Sequence, residues 1–258
     1  MPRPQTTAAA LSLSLAIAAA PALAQSASEG DSDWSVRLGA GAIVQPEYPG
    51  SDEMKITPIP DFDVTWRNRV FLNMQNGIGV YALKSDTATL GASVGVHFGR
   101  DEDDGDRLNG LGDIDTTAQA KLFGSYNFGW VEFGGELARD LGEGDGFALD
   151  LNAGHPMKLT PQWRVNPALG ATFADDDYMQ SWFGVTSSQA ARSGLAAYDA
   201  DGGLMSAYAK VDVQYFVSKE WVLGSSFKVE RLMGDAADSP VVEDETQPSV
   251  LFTISRRF

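Results

Sequence analysis

Residues Ser249–Phe258 read SVLFTISRRF. Counting back from the last residue in steps of two gives Phe258, Arg256, Ile254, Phe252 and Val250, four of them apolar. The residues between, Arg257, Ser255, Thr253 and Ser249, are polar, with Leu251 the exception. Side chains that alternate at period two belong to a strand with one greasy and one wet face. This one runs to the end of the sequence and closes on an aromatic ring.

The same rhythm recurs upstream. In Lys210–Val217, Val211, Val213, Tyr215 and Val217 fall on one face, and Lys210, Asp212 and Gln214 on the other. Trp221, Leu223, Phe227 and Val229 oppose Lys228 and Glu230. Leu90, Ala92, Val94, Val96 and Phe98 oppose Thr89, Gly91, Ser93, Gly95 and His97. Trp34, Val36, Leu38, Ala40, Ala42 and Val44 oppose Ser35, Arg37, Gly39 and Gly41. None of these segments shows the period of 3.6 that a helix requires. Gly, Asp, Asn and Pro punctuate the chain into segments 34–44, 56–66, 69–75, 77–84, 87–98, 114–127, 130–140, 146–158, 162–174, 204–217, 220–231 and 247–258. Most are long enough to cross a bilayer as tilted strands, which takes about 9–11 residues.

The connections alternate too. One set is 45–55, the Asn76-Gly77 turn, 99–113, 141–145, 175–203 and 232–246, mostly long and acidic. The other is 67–68, 85–86, 128–129, 159–161 and 218–219, all very short. Short periplasmic turns against longer outer loops mark a transmembrane barrel, and a soluble sandwich has no reason to sort its loops by parity. The outward face is Val, Leu, Ala, Phe, Tyr and Trp. The inward face holds Gly, Ser, Thr and Asn with charges of both signs: Arg37, Asp61, Asp63, Lys121, Glu132, Glu136, Asp150, Arg164, Lys210, Asp212, Lys228 and Glu230. Trp34, Trp66, Trp130, Trp163, Trp221, Tyr178 and Trp182 lie near strand ends, where amphipathic rings suit the headgroup level. The fold class is all-β: an antiparallel transmembrane β-barrel of the outer membrane, of about 12 strands, with about 10 as the alternative. Lipid cannot satisfy open backbone edges, so the sheet must close.

The N-terminus supplies a matching address. Met1–Thr7 carries Arg3 and no acid, Ala8–Ala20 is apolar, and Ala22-Leu23-Ala24 is a small-x-small cleavage site. Residues 1–24 read as a signal peptide, 25–33 as a flexible leader and 34–258 as the barrel domain of a Gram-negative outer-membrane protein. The chain has 19 Lys and Arg against 35 Asp and Glu. That acidity excludes a nucleic-acid partner, whose backbone needs a basic surface. Without a cysteine, stability must come from the core or from ring closure.

No motif carries catalysis, a cofactor or a metal. Neither His97 nor His155 has a partner at ligand spacing, and His97, on the inward face, reads as a hydrogen-bonded lumen group. A barrel hydrolase would need a serine and an orienting acid converging on a histidine, with His97 the starting point. DEDDGD (Asp101–Asp106) lacks the alternation and distal Glu of a calcium loop and reads as a solvated acidic loop, weak divalent bridging to lipopolysaccharide phosphates being the alternative. Gly39, Gly41, Gly91 and Gly95 read as small inward residues that let the sheet curve.

Three segments resemble the MipA/OmpV family of outer-membrane proteins. They are QPEYPGSDEMKITPIPDF (Gln45–Phe62), FADDDYMQSWFGVTSSQAARSGLAAYDADGG (Phe173–Gly203) and the stretch from Phe227 to Phe258. From the residues alone, Tyr48, Gly50, Ser51 and Asp52 form a turn with a side-chain cap. The resemblance implies a non-enzymatic scaffold of the cell envelope. Its partners would be a murein lytic transglycosylase and a peptidoglycan synthase, in contact with outer-membrane lipid and lipopolysaccharide. It offers no catalytic residues. The alternatives are a small-solute channel linked to osmotic or antibiotic responses, an adhesin acting through 175–203, and a barrel enzyme.

Overall fold

The computed structural model describes residues 33–142 and 146–258. The expected signal peptide, the leader up to Ser32 and part of the 141–145 connection lie outside the described residues. Asp33 accepts Arg67 Nε at 2.9 Å, and its carbonyl accepts the Arg67 N–H.

The strands are β1 (Trp34–Pro46), β2 (Met54–Trp66), β3 (Val70–Asn73), β4 (Gly77–Lys84), β5 (Ala88–His97), β6 (Thr117–Asn127), β7 (Glu132–Asp140), β8 (Phe147–Gly154), β9 (Met157–Lys158), β10 (Trp163–Ala174), β11 (Gly203–Phe216), β12 (Trp221–Leu232) and β13 (Thr246–Arg257). Neighbours pair antiparallel, and β13 returns to β1 from Arg37↔Arg257 to Val44↔Val250. β8 and β9 both lie along β10, as two parts of one interrupted strand. The wall is therefore a closed antiparallel barrel of 12 strands. Parity holds among the connections: the inner ones run 67–69, 85–87, 128–131, 159–162 and 217–220. Arg67 and Asn68 both have positive φ, 49° and 55°, as the two central residues of a type I′ turn require.

Two expected strands change. The segment 146–158 breaks at His155-Pro156, and 69–75 shortens to Val70–Asn73. Proline explains the first and a side chain the second. In an antiparallel ladder, alternate residues point their N–H and C=O to opposite neighbours. The Phe258 N–H bonds to Val36 O and the Arg67 N–H to Asp33 O, so even residues of β1 face β13 and odd residues of β2 face β1. Pro58 and Pro60 of β2 therefore face away from β1, toward a stretch of edge that β3 does not reach. Pro248 faces past the last β1–β13 pair, Val44↔Val250. Pro167 faces the His155-Pro156 interruption, where its carbonyl accepts the His155 N–H. Each strand proline thus lies where its missing donor meets a gap in the ladder. In β3 the Asn73 side chain accepts the Asn76 N–H at 2.8 Å and turns the chain early, with Gly77 at φ +72°.

The lumen face is paired against itself. Arg37 Nη1 and Nη2 lie 3.6 Å from Asp61 and Asp63, Lys121 lies 3.0 Å from Glu136, Lys210 3.2 Å from Asp212 and Lys228 2.6 Å from Glu230. Phe71, Tyr81 and Phe123 cluster inside, with centroids 4.5–6.1 Å apart. A Cβ at Gly91 would sit 2.5 Å from the Phe123 ring, and one at Gly79 would sit 2.4 Å from Phe71, so glycine there lets a ring lie on the wall. At the inner ends Trp34 packs on Trp66 at 6.2 Å and Trp163 on Tyr215 at 4.6 Å, an interfacial belt. Tyr178 and Trp182 do not join it. They belong to a helix folded over the barrel, where Trp182 is buried.

Candidate functional site

The outer connections build a cap. α1 (Asp176–Phe183) starts because the Asp175 side chain accepts the Tyr178 N–H at 3.0 Å, with Asp176 and Asp177 in its first turn. Met179, Trp182 and Phe183 recur at helical spacing and bury one face. α2 (Ser187–Ser193) opens on a capping box between Thr186 and Gln189 and ends at Gly194 with φ +78°. α3 (Gly234–Asp238) completes the set. The period-two pattern of the wall gives no warning of these helices; the acid-led run DDDYMQSWF does.

Two buried clusters hold the cap together. One joins Met179, Trp182, Phe183 and Ala200 to Leu232 and Ala236. The other joins Tyr48, Leu108, Leu111, Val185 and Val241. The second draws on four connections: β1–β2, β5–β6, β10–β11 and β12–β13. Three of these leave the wall at consecutive hairpins, but β5–β6 leaves opposite β12–β13, so the four meet by reaching across the mouth. The turn expected at Tyr48–Asp52 forms, with the Ser51 N–H on Tyr48 O at 3.0 Å. It also docks on the β12–β13 connection: Gly50 O accepts the Glu243 and Asp244 N–H groups, and Gln247 Oε1 accepts the Gly50 N–H at 3.0 Å. Gly50 is required there, because φ is +99° and a Cβ would meet Val242 at 2.6 Å.

Beneath the cap is a cavity of about 360 Å³. Its walls include Gln45–Pro49, His97–Arg100, Tyr178, Trp182, Lys228, Glu230 and Gln247. His97 Nδ1 lies 2.9 Å from Asp140 Oδ2, and Gln119 Nε2 donates to Asp140 Oδ1 at 2.8 Å. The His97 ring stacks on Tyr178 at 6.2 Å and packs tilted against Trp182 at 5.2 Å. Among the described residues no serine hydroxyl bonds to His97, so an acid orients the ring but no nucleophile meets it. His155 lies elsewhere, bonded to Trp130 O at the inner end.

Arg100 is the cavity residue that sequence reasoning passed over. It is 5% exposed, and its Nε and Nη1 have no hydrogen-bond partner among the described residues. Burial pulls its pKa down to about 10, with Tyr48 opposing, so it stays charged at neutral pH. The one signal available was its place as the lone base before a run of acids, FGRDEDDGD. Those acids are used within the cap. Glu102 Oε2 accepts the Gly110 and Gly112 N–H groups, and Asp104 accepts Lys55 Nζ at 3.3 Å. Among the described residues no group of three His, Asp or Glu could hold a metal.

The Tyr48 hydroxyl donates to Glu243 Oε2 at 2.8 Å. Burial, then that bond and the Glu243 charge, raise its pKa well above the ordinary tyrosine value. The folded pKa exceeds the unfolded one, so this contribution to stability is complete below about pH 10 and falls as pH rises toward the folded value. Protease cleavage within 175–203 should therefore accelerate above about pH 10, and less so in Tyr48→Phe. Equal alkaline acceleration in both would remove Tyr48 from the effect.

Fold and site together define a capped outer-membrane β-barrel with a self-paired lumen. The family model described as MltA-interacting protein MipA matches residues 38–258, and the chain belongs to that family. A candidate outer-membrane protein of Escherichia coli (strain K12), YiaT, is 24% identical over 227 residues, covering 86% of this chain and 90% of the relative. The MltA-interacting protein of the same strain is 24% identical over 212 residues, covering 80% and 83%. Among solved structures, a bacterial polysaccharide outer membrane secretin aligns at TM-score 0.47 and 10% identity, covering 88% of this chain and 100% of that one. The KdgM porin in complex with oligogalacturonate aligns at 0.44 and 7%, covering 86% and 99%. Neither bears on function at that level of likeness. The family and fold are those of an outer-membrane barrel and interaction protein or channel, not of a known enzyme class.

Proposed function

We propose that the chain is a non-enzymatic outer-membrane scaffold for peptidoglycan turnover. It would engage a murein lytic transglycosylase, and with it a peptidoglycan synthase, from the periplasmic side. The observation that carries this reading is the cap. Four outer connections share one buried core across the mouth, and the lumen bases Arg37, Lys121, Lys210 and Lys228 are each paired with an acid, an arrangement suited to a platform rather than an open pore. The family membership and the name of the MltA-interacting relative favour the same partner class.

A partner on the peptidoglycan side can reach only the leader, the inner turns and the rim. Substituting Arg67-Asn68, Thr160–Gln162 and Ser218–Glu220 should lower recovery of a lytic transglycosylase in pull-downs from intact envelopes, with the barrel still folded. Trimming 175–203 should leave that recovery intact. Steady conductance in planar bilayers, with no envelope partner captured, would replace the scaffold with a channel.

A further inference from the structure

The barrel wall is low at one place. β3 has 4 residues and β4 has 8, against 13 in β2 and 10 in β5. The outermost β2–β3 pair is Asp63↔Asn73, and the outermost β4–β5 pair is Ile78↔Val94. Beyond these, β2 continues from Phe62 to Met54 and β5 continues to His97, with no strand between them among the described residues. A tilted strand crosses the hydrocarbon in about 9–11 residues. Counted from Trp66 in the inner belt, the notch falls in the outer half of the bilayer.

Lipid does not satisfy an open sheet edge, so a notch there needs explanation. Pro58 and Pro60 supply part of it, since they remove two donors from the open edge. They also prevent another strand from sealing it. The outward rim is apolar: Ile56 is 70% exposed, Ile78 60%, Val96 61% and Phe98 65%. The chain leaving β5 crosses above the notch. Arg100 pairs with Ile114, and Asp104 reaches Lys55 on β2. The opening thus faces the membrane and is bridged on the side of the medium.

The cavity adjoins this notch at the outer end of β5, where His97 is common to both. It is flanked by Gln45–Pro49 on the β1–β2 side and His97–Arg100 on the β5 side, with Tyr178 and Trp182 behind. Phe98 belongs to both, since it stands on the outward face and also lines the cavity. Arg100 sits between them, nine-tenths buried, and no carboxylate lies within ion-pair distance among the described residues. A buried guanidinium without a partner is costly, and its natural complement is a planar anion.

We infer that the notch and cavity form a lateral site for an anionic single-chain amphiphile of the outer leaflet. Its acyl chain lies against Ile56, Ile78 and Val96, and its headgroup carboxylate meets Arg100. A cavity of about 360 Å³ is at the small end for ligand sites, which suits a headgroup rather than a whole two-chain lipid. The site is independent of any periplasmic partner.

The test uses the mature barrel in phosphatidylcholine nanodiscs. The probe is palmitate bearing a diazirine at its chain end, competed with palmitate, methyl palmitate and acetate. Photolabel should concentrate in 56–62, 74–78 and 96–98. Palmitate should compete, and the ester and acetate should not. Arg100→Gln should weaken binding about tenfold, and Arg100→Lys by less. Heat-modifiable migration checks folding; if Arg100→Gln fails it, Arg100→Lys and the ester decide. Label spread evenly over the lipid face, or equal competition by the ester, would overturn the site. So would affinity unchanged in a folded Arg100→Gln. Acetate competing as well as palmitate would overturn the lateral route and make this a soluble-anion site.

Discussion

Leu169→Arg should cost the barrel about 2–4 kcal/mol, because it places a charge on the lipid face near the bilayer midplane. Leu169 is the seventh of twelve residues in β10 and is 67% exposed on the outward face. Its neighbour Ala168 points inward and is buried opposite Lys210. Lys210→Gln breaks the pair with Asp212 but leaves a polar group in a polar lumen. The pair is about one-third exposed, so the loss should stay below about 1 kcal/mol. Urea titrations of the barrel folded into vesicles read both values. The opposite order would mean that every side chain in β10 had been placed on the wrong face, since a slip of one residue inverts a strand.

That contrast rests on the most legible part of the sequence. Period two in Lys210–Val217 and Ser249–Phe258 places every residue on one face or the other, and the register agrees: Ala40 pairs with Ile254, both outward, and Arg37 finds Asp61 and Asp63 inside. Loop parity was legible for the same reason. A lipid-spanning strand has a fixed length, and the turns between strands are free to differ only by side. The prolines carried more than a first reading takes from them. Pro58, Pro60 and Pro167 punctuate expected strands, yet each marks a missing ladder bond, and so a gap in the wall, rather than a strand end.

The cap was less legible, because its logic is tertiary. Tyr178 and Trp182 suit an interfacial belt by composition, and only the helix that Asp175 starts turns them inward. Tyr48 and Glu243 lie 195 residues apart and meet only once the barrel closes. Arg100 gave no periodic signal, since it lies in the β5–β6 connection, paired with Ile114 and near Tyr48. The three segments that resemble the family converge here: Gly50 on Glu243 and Gln247, and Val185 on Tyr48 and Val241. The stretches in which the family resemblance is read therefore meet in the cap.

Phe183→Ala tests whether the cap is a unit separable from the wall. Phe183 is 1% exposed in the cluster that ties α1 to Leu232 and Ala236, and its carbonyl accepts the Ser239 hydroxyl at 2.5 Å. Truncating a buried phenylalanine costs about 3–5 kcal/mol where the site cannot collapse. The wall keeps its ladder from β10 through β11 to β12 whatever this side chain does. The loss should therefore appear as local opening rather than global unfolding. On intact cells, trypsin should cut at Arg192 many times faster in Phe183→Ala, while heat-modifiable migration stays unchanged. In planar bilayers the same variant should conduct more than the parent, since the mouth is no longer held shut. Cleavage at the parental rate with conductance unchanged would show that Phe183 does not hold the cap. Loss of heat-modifiable migration would show that cap and wall fold as one unit, and the mouth would then be part of the barrel's own stability.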